Sequence, residues 1–129
     1  MTKQVMTVTG VPAAIGPYST AVRAGDTLYV SGNIPRNPMT GQMVSDSIEA
    51  ATRQVMSNLR AVLTGCGLGL MDVVKTTVYL KNMDDFAAMN KVYAEYFSEA
   101  PPARSTIQAA RLPADSLVEI DCIATYATK

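Results

Sequence analysis

The last predicted strand of the chain constrains the fold more than any other feature. Along residues 118–124, apolar side chains alternate with Glu119 and Asp121. Successive side chains of a β-strand point to opposite faces, so the apolar residues of this stretch share one face. Such a strand requires a sheet that packs one face on a core and leaves the other to polar groups. The apolar residues that share this face are Val118, Ile120, Cys122 and Ala124.

The strand that precedes it carries an arginine where packing alone would not require one. If the apolar faces of both strands pack on one core, Arg104 and Thr106 lie with Glu119 on the back of the same sheet. An arginine there can hold a carboxylate in a two-pronged geometry, and a nearby glutamate can orient or activate water. This strand divides into a core set of Ser105, Ile107 and Ala109 and a back set of Arg104, Thr106 and Gln108.

Two amphipathic helices are predicted from apolar stripes at helical spacing. The first covers residues 46–64, where Asp46 and Glu49 have the spacing of a capping box. Gly65 and Gly67 follow this stretch and predict the end of the helix. The second helix covers residues 84–97 and stops before a pair of prolines.

The remaining strands are predicted from short β-type segments bounded by turn residues. The segment 27–32 pairs with the one before it through a turn at Gly25-Asp26, and Ser31 faces the back of the sheet with Glu119. Val74, Val78 and Leu80 are predicted to share a face of another strand. The predicted segments are 5–9, 21–24, 27–32 and 73–80.

This order of elements predicts an α+β fold, in which a mixed sheet carries both helices on one face. A length of 129 residues suits one domain, and residues 1–129 are interpreted as such. The uncovered face then carries Tyr29, Thr77 and Tyr79 as well as charges, and it is either solvated or covered by another subunit.

Composition excludes several kinds of function. Eleven basic and eleven acidic residues cancel, which disfavours electrostatic capture of nucleic acid. The chain has no histidine, so histidine-dependent catalytic triads and imidazole metal sites are excluded. Cys66 and Cys122 are predicted to be reduced structural thiols, which suits a reducing compartment. With no membrane-length apolar run or targeting peptide recognised, a cytoplasmic protein is expected.

Four separated segments closely resemble the RidA/YjgF family of enamine and imine deaminases, in the family order. The resemblance extends over essentially the whole chain. It implies a chorismate-mutase-like fold that assembles as a homotrimer, with sites in the clefts between subunits. The segments are Ile15–Ser19, Tyr29–Pro35, Phe86–Tyr93 and Pro102–Ile107 with Val118–Ile120.

The same resemblance assigns roles to individual residues. Arg104 is expected to bind the substrate carboxylate, and Glu119 to position water and carry protons. Thr106 is expected among the substrate-binding residues, although some family members have cysteine at this position, so a thiol is absent there. Tyr18 is expected to be a catalytic residue. The further residues expected to bind the substrate are Ser31, Gly32 and Asn90.

Each charged residue also has a structural alternative. Arg104 can form an ion pair with Glu119 or Asp121, and Glu119 can pair with Arg111 or Lys75. Asp121 is interpreted as structural.

The resemblance implies a hydrolase that converts 2-iminobutanoate and 2-iminopropanoate to 2-keto acids and ammonia. No cofactor is required, and the benefit is protection of pyridoxal-phosphate enzymes from reactive intermediates. The alternative is a regulatory module that binds a small carboxylate metabolite without turnover. Relatives have also been credited with RNA cleavage, which the neutral charge and missing histidines disfavour. No nucleic acid or membrane partner is expected.

Overall fold

A mixed six-stranded sheet carries the fold in the computed structural model, which describes residues 2–127. The strand order is β1-β2-β3-β6-β4-β5, and every neighbouring pair is antiparallel except β4 and β5. The α+β prediction is therefore confirmed. The strands are β1 Lys3–Met6, β2 Ala21–Ala24, β3 Thr27–Asn33, β4 Val73–Leu80, β5 Ala103–Gln108 and β6 Val118–Thr125; the helices are α1 Ile48–Gly65 and α2 Phe86–Tyr96.

The alternation of β6 organises the core as predicted. β6 lies between β3 and β4, so its apolar face is covered by neighbours on both sides as well as by the helices. Burial of each such aliphatic side chain contributes roughly 1.5–3 kcal/mol. Glu119 and Asp121 face the other way and are half-buried. The four apolar residues on the core face of β6, Val118, Ile120, Cys122 and Ala124, are all buried.

The first helix begins one residue later than the predicted capping box implies. Ser47, in extended conformation, is the N-cap, and its Oγ accepts a hydrogen bond from the Ala50 amide at 3.0 Å. The assignment of Asp46 as the cap was therefore wrong, because Ser47 lies three residues before the free amide and has the required backbone angles.

The predicted glycine end of α1 is confirmed. Gly67 has a φ of +81°, a conformation that glycine adopts without steric cost. The Leu68 amide then donates to the Leu63 carbonyl at 2.8 Å, and the Gly67 amide donates to the Thr64 carbonyl at 3.0 Å. These two bonds satisfy carbonyls that the end of a helix would otherwise leave open.

The second helix is tied to the sheet by a buried hydroxyl pair. A short 3-10 turn, Met83–Asp85, precedes α2, so the regular helix is shorter than predicted. Tyr93 on α2 packs against Phe97, with ring centroids 4.9 Å apart. Its hydroxyl lies 2.7 Å from the Thr76 hydroxyl on β4, so burial does not leave the Tyr93 oxygen unpaired.

Two strand predictions need correction. The first strand is Lys3–Met6 rather than residues 5–9. Val78 and Leu80 are fully buried, but Val74 is 48% exposed. An irregularity in the pairing of β4 with β6 lies between Val73 and Lys75, and it turns Val74 away from the core.

Both cysteines are buried free thiols, as predicted. Burial, with a smaller effect from Asp121, raises the pKa of Cys122 to about 12. A thiol with this pKa stays protonated and unreactive at neutral pH. No helix in the described part of the chain is long and apolar enough to cross a membrane.

A buried amide on α1 fixes the loop that follows β3. Asn58 is 2% exposed, and its Nδ2 donates to the carbonyl oxygens of Arg36 at 2.9 Å and Ile34 at 3.4 Å. Gln54 Nε2 donates to the Asn58 Oδ1 at 2.9 Å and completes the network.

Replacing Asn58 by alanine is expected to lower the free energy of unfolding by about 1–3 kcal/mol, because the Arg36 carbonyl loses the Asn58 donor, while the Ile34 carbonyl keeps the Arg36 amide at 2.7 Å. Chemical denaturation followed by circular dichroism measures this loss. Gln54→Ala is the matched control, since it removes only the partner of the amide oxygen and should cost less. Equal losses in the two variants would contradict the assignment.

Candidate functional site

The open face of the sheet carries a cleft around Glu119. The cleft has a volume of about 340 Å³. Glu119 comes from β6, Ser31 and Gly32 come from β3, and Tyr18 comes from the loop before β2. Three of the predicted site residues therefore meet Glu119 here. The remaining lining residues are Ile15, Ile34 and Pro113.

Gly32 makes room for the carboxylate of Glu119. A Cβ atom built on Gly32 would overlap Oε2 of Glu119 and lie 2.8 Å from its Cδ. Gly32 lies where the register of β3 against β6 shifts, between Val30 and Asn33. The shift in pairing and the missing side chain together let Glu119 lie directly against the β3 backbone.

Burial raises the pKa of the Glu119 carboxyl, and the negative charge of Asp121 adds to this effect. Asp121 itself accepts a hydrogen bond from the Tyr79 hydroxyl at 3.2 Å. The pKa of Tyr79 is also raised, first by burial and then by Asp121 and Glu119. Glu119 has no ion-pair partner among the described residues, so the structural alternative of pairing with Arg111 or Lys75 does not occur in these residues.

Ser31 and Tyr18 occupy the rim of this cleft. The Ser31 hydroxyl donates to the Ser19 carbonyl at 2.6 Å, and the Ser31 amide donates to the Thr20 carbonyl at 3.0 Å. Ser31 therefore holds the loop to β3, and its hydroxyl oxygen remains available as an acceptor. The Tyr18 side chain is 50% exposed, and a turn from the Gly16 carbonyl to the Tyr18 amide, 2.8 Å long, fixes its backbone.

Arg104 and Thr106 lie on the opposite side of the sheet from Glu119, so the prediction that these residues share the back of the sheet was wrong. In the parallel pairing of β5 with β4, Arg104 is opposite Thr76 and Thr106 is opposite Val78. Thr76 and Val78 are fully buried in the core layer. Residues in register on neighbouring strands point to the same face, so Arg104 and Thr106 face the helices.

The physical reason for this error is the position of β5 at the sheet edge. An edge strand needs little apolar surface, and Ile107, predicted to face the core, is 48% exposed on the open face. On the other face of β5, the side chain covered by α2 is that of Arg104, which lies against aromatic rings of the helix. The guanidinium carbon lies 4.8 Å from the ring centroid of Tyr93 and 5.5 Å from that of Phe86.

Asn90 on α2 orients the arginine. Arg104 Nη1 donates to the Asn90 Oδ1 at 2.6 Å, which leaves most of the guanidinium donors for other partners. The ion pairs of the described residues are Arg53–Glu95 and Lys81–Asp115, so no carboxylate neutralises Arg104 there. A second cleft of about 530 Å³ lies beside this arginine; its lining includes Tyr93, Phe97, Pro101 and Pro102.

Thr106 carries a buried hydroxyl that has no hydrogen-bond partner among the described residues. An unpaired buried hydroxyl costs about 1–3 kcal/mol. Thr106 lies two residues beyond Arg104 on the same face of β5, so the predicted binding residues Arg104, Asn90 and Thr106 form one group and the residues around Glu119 form another.

Sequence reasoning missed part of both clefts. Pro113 and Ile34 line the Glu119 cleft from loops whose shape has no periodic signal. Tyr93 and Phe86 were predicted only as the apolar stripe of a helix, and their contact with Arg104 depends on which strand α2 covers.

Residues 9–126 match the family model described as endoribonuclease L-PSP. A RutC family protein of Pyrococcus horikoshii is 51% identical over 122 residues, which cover 95% of this chain and 97% of that protein. The chain belongs to the RidA/YjgF family. The match with the family begins in the loop after β1 and ends just beyond β6, so it includes both helices and strands β2 to β6.

Two further RidA/YjgF relatives are informative. Reactive Intermediate Deaminase A of Arabidopsis thaliana, a chloroplastic protein, is 44% identical over 123 residues, covering 95% of this chain and 66% of that protein. The crystal structure of E. coli TdcF with bound serine is 36% identical with a TM-score of 0.90, covering 95% of this chain and 98% of TdcF.

Gly32→Ala is expected to displace the Glu119 carboxylate, because the new methyl group occupies its position. The unfolding free energy should change by no more than about 1 kcal/mol, since a flexible side chain can move away. An NMR titration of the glutamate carboxyl carbons should show the pKa of Glu119 closer to the ordinary value. Gly69→Ala is the control, because a Cβ there meets no atom within 4 Å. An unchanged Glu119 signal in Gly32→Ala would refute the close-packing argument.

Thr106→Val is expected to raise the free energy of unfolding by about 1–2 kcal/mol, because valine has nearly the same shape without the unpaired hydroxyl. Thr76→Val is the matched control and should have the opposite sign, since it removes the partner of the Tyr93 hydroxyl. Urea denaturation of both variants tests this contrast, and a loss of stability in Thr106→Val would show that the hydroxyl has a partner.

Proposed function

We propose that this protein hydrolyses the reactive 2-iminobutanoate and 2-iminopropanoate, with their enamine tautomers, to 2-keto acids and ammonia. The observation that carries the proposal is Arg104, a half-buried arginine that is oriented by Asn90 and lacks a carboxylate partner among the described residues. A guanidinium of this kind is suited to a planar carboxylate. The name of the Arabidopsis relative and the serine bound to TdcF agree with an amino-acid-derived substrate.

The active site of this proposal is formed between two protomers. Arg104 and Glu119 lie on opposite faces of one sheet, so they do not reach the same small molecule within one chain. The open face exposes Tyr29 to 50% and Ile107 to 48%, which suits contact with another copy. In a homotrimer, the Arg104 group of one protomer would meet the Glu119 cleft of its neighbour; the number three comes from the family resemblance.

The proposed chemistry needs an acceptor and a donor of protons near the imine carbon. Arg104 holds the substrate carboxylate, and the Glu119 carboxylate removes a proton from water as the water oxygen bonds to the imine carbon. The imine nitrogen gains that proton, which gives a carbinolamine. The Glu119 carboxylate then carries the carbinolamine hydroxyl proton to the amino nitrogen as the C–N bond breaks, so ammonia leaves and the hydroxyl oxygen becomes the keto oxygen. Tyr18 covers the cleft and offers a hydrogen bond to the reacting groups.

The required rate enhancement is modest because imines already hydrolyse in water. Holding the substrate carboxylate and the attacking water in place lowers the entropic part of the activation barrier. A few charge-assisted hydrogen bonds lower the barrier further by stabilising the transition state. No cofactor takes part in this scheme. Because the pKa of Glu119 is raised, it lies closer to neutral pH than that of an ordinary glutamate, and the carboxyl group accepts and releases protons more readily there. The protein would thereby protect pyridoxal-phosphate enzymes from covalent damage.

Arg104→Ala is expected to lower kcat/KM for freshly generated 2-aminoacrylate by about 10–100-fold, because charge-assisted hydrogen bonds to the carboxylate contribute about 1.5–3 kcal/mol. Glu119→Gln should lower kcat by about 10²–10⁴-fold. Release of keto acid above the uncatalysed background is the measurement, and Arg53→Ala, on the exposed α1–α2 ion pair, is the control. No acceleration by the folded wild-type protein would end the proposal.

The pH dependence follows from the same carboxyl. Glu119 acts as a base only when ionised, so kcat/KM should fall as the pH drops through its raised pKa, above the ordinary value of 4.5. Glu119→Gln should lack this acidic limb. An acidic limb at or below the ordinary glutamate value would contradict the role of Glu119.

The alternative of a carboxylate-binding regulatory protein predicts a different outcome for the same variant. Glu119→Gln would then bind a 2-keto acid as tightly as the wild type, while Arg104→Ala would not. Titration calorimetry with 2-oxobutanoate distinguishes the two functions when combined with the turnover assay.

A further inference from the structure

A strained turn forms one wall of the Glu119 cleft. Pro113 lines the cleft, and the next two residues, Ala114 and Asp115, both have a φ of +54°. The Ser116 amide donates to the Pro113 carbonyl at 3.1 Å and closes the turn. Two consecutive residues with positive φ inside such a closure are characteristic of a type I′ turn, where Asn and Gly are preferred.

Ala114 is the costly residue of this turn. Asp tolerates the left-handed region because its short polar side chain can bond locally, whereas the Cβ atom of alanine makes this region unfavourable. Such strain persists only where the surroundings hold the backbone, and it occurs often beside functional sites.

Ser116 supplies the main restraint. It is 2% exposed, and its Oγ donates to the Pro113 carbonyl at 2.8 Å, so this carbonyl accepts both the amide and the hydroxyl of one residue. Lys81 adds an exposed ion pair to Asp115 at 3.0 Å, which contributes little on its own. The hydroxyl of Ser116 lies three residues before Glu119 on the way into β6.

We propose that Ser116 is a positioning residue, whose hydroxyl holds the strained Pro113–Ser116 turn closed so that the Pro113 ring remains a wall of the cleft beside Glu119. The Ser116 hydroxyl is bonded to the Pro113 carbonyl and acts on Glu119 only through the turn, and its catalytic relevance rests on the proposed function. When the hydroxyl is removed, the strain in Ala114 favours opening of the turn, and water gains access to the carboxylate.

The test substitutions replace none of the titratable groups near Glu119. Asp121, two residues along β6, raises the pKa of Glu119 together with burial. Tyr79 is opposite Glu119 on β4 and donates a hydrogen bond to Asp121, and Tyr18 lines the same cleft from the loop before β2. In the proposed trimer, Arg104 of a neighbouring copy also faces Glu119. Since all of these groups are kept, a change that follows removal of the Ser116 hydroxyl reports on the Pro113 wall.

The test is an NMR titration of the Glu119 carboxyl carbon in the substrate-free protein. In Ser116→Ala, the pKa of Glu119 should fall toward the ordinary value, because an opened turn lets water reach the carboxylate and weakens the effect of burial. Ser47→Ala is the control, because it removes the hydroxyl that caps α1 at a similar cost in stability. Its Glu119 titration should match the wild type.

A rescue variant makes the test decisive. Glycine adopts positive φ without strain, so Ala114→Gly in the Ser116→Ala background should restore the wild-type titration. An unchanged pKa in Ser116→Ala, or failure of Ala114→Gly to restore it, would overturn the proposal. Because the titration requires no turnover, it can succeed when the deaminase assay fails, and the two proposals are judged separately.

Discussion

The pairing of β6 with β3 on one side and β4 on the other is the interaction on which the rest of the structure depends. Its apolar side chains form the middle of the core, and its acidic side chains are directed to the open face by the same alternation. The position of Glu119 is therefore a consequence of how Val118 and Ile120 are buried. A register slip by one residue would move the carboxylate into the core, which makes the register strongly specified.

The two clefts differ in how they treat charge. Arg104 is stabilised by aromatic faces and one amide oxygen, without a counter-ion among the described residues, while Glu119 is held against a glycine backbone with another acid nearby. Arg104 and Glu119 do not pair with each other within one protomer, so neither charge gains the stabilisation that an internal ion pair would give. Complementary charges that remain separate in the protomer are suited to a ligand that bears both a carboxylate and a basic nitrogen.

Local patterns predicted the fold well, and non-local choices limited what could be predicted of the site. The alternation in β6 and the glycine end of α1 depend on neighbouring residues, so sequence spacing sufficed. The face of Arg104 depends on the parallel pairing of β5 with β4, and the weak alternation around Ser105 and Ile107 pointed to the wrong side. The turn at Ala114 was missed because alanine gives no signal of positive φ.

The Arg104 group and the Glu119 cleft differ in how far apart along the chain their residues lie, and this affects the order in which they form during folding. Parallel β4 and β5 are joined through α2, so Arg104 and Asn90 belong to one continuous β-α-β segment whose contacts are close in sequence. The Glu119 cleft instead joins Tyr18 and Ser31 near the start of the chain to Glu119 near its end. Closing that long loop costs more chain entropy. During folding, the arginine side is thus able to form while the chain is still incomplete, whereas the glutamate side must wait for the last strand.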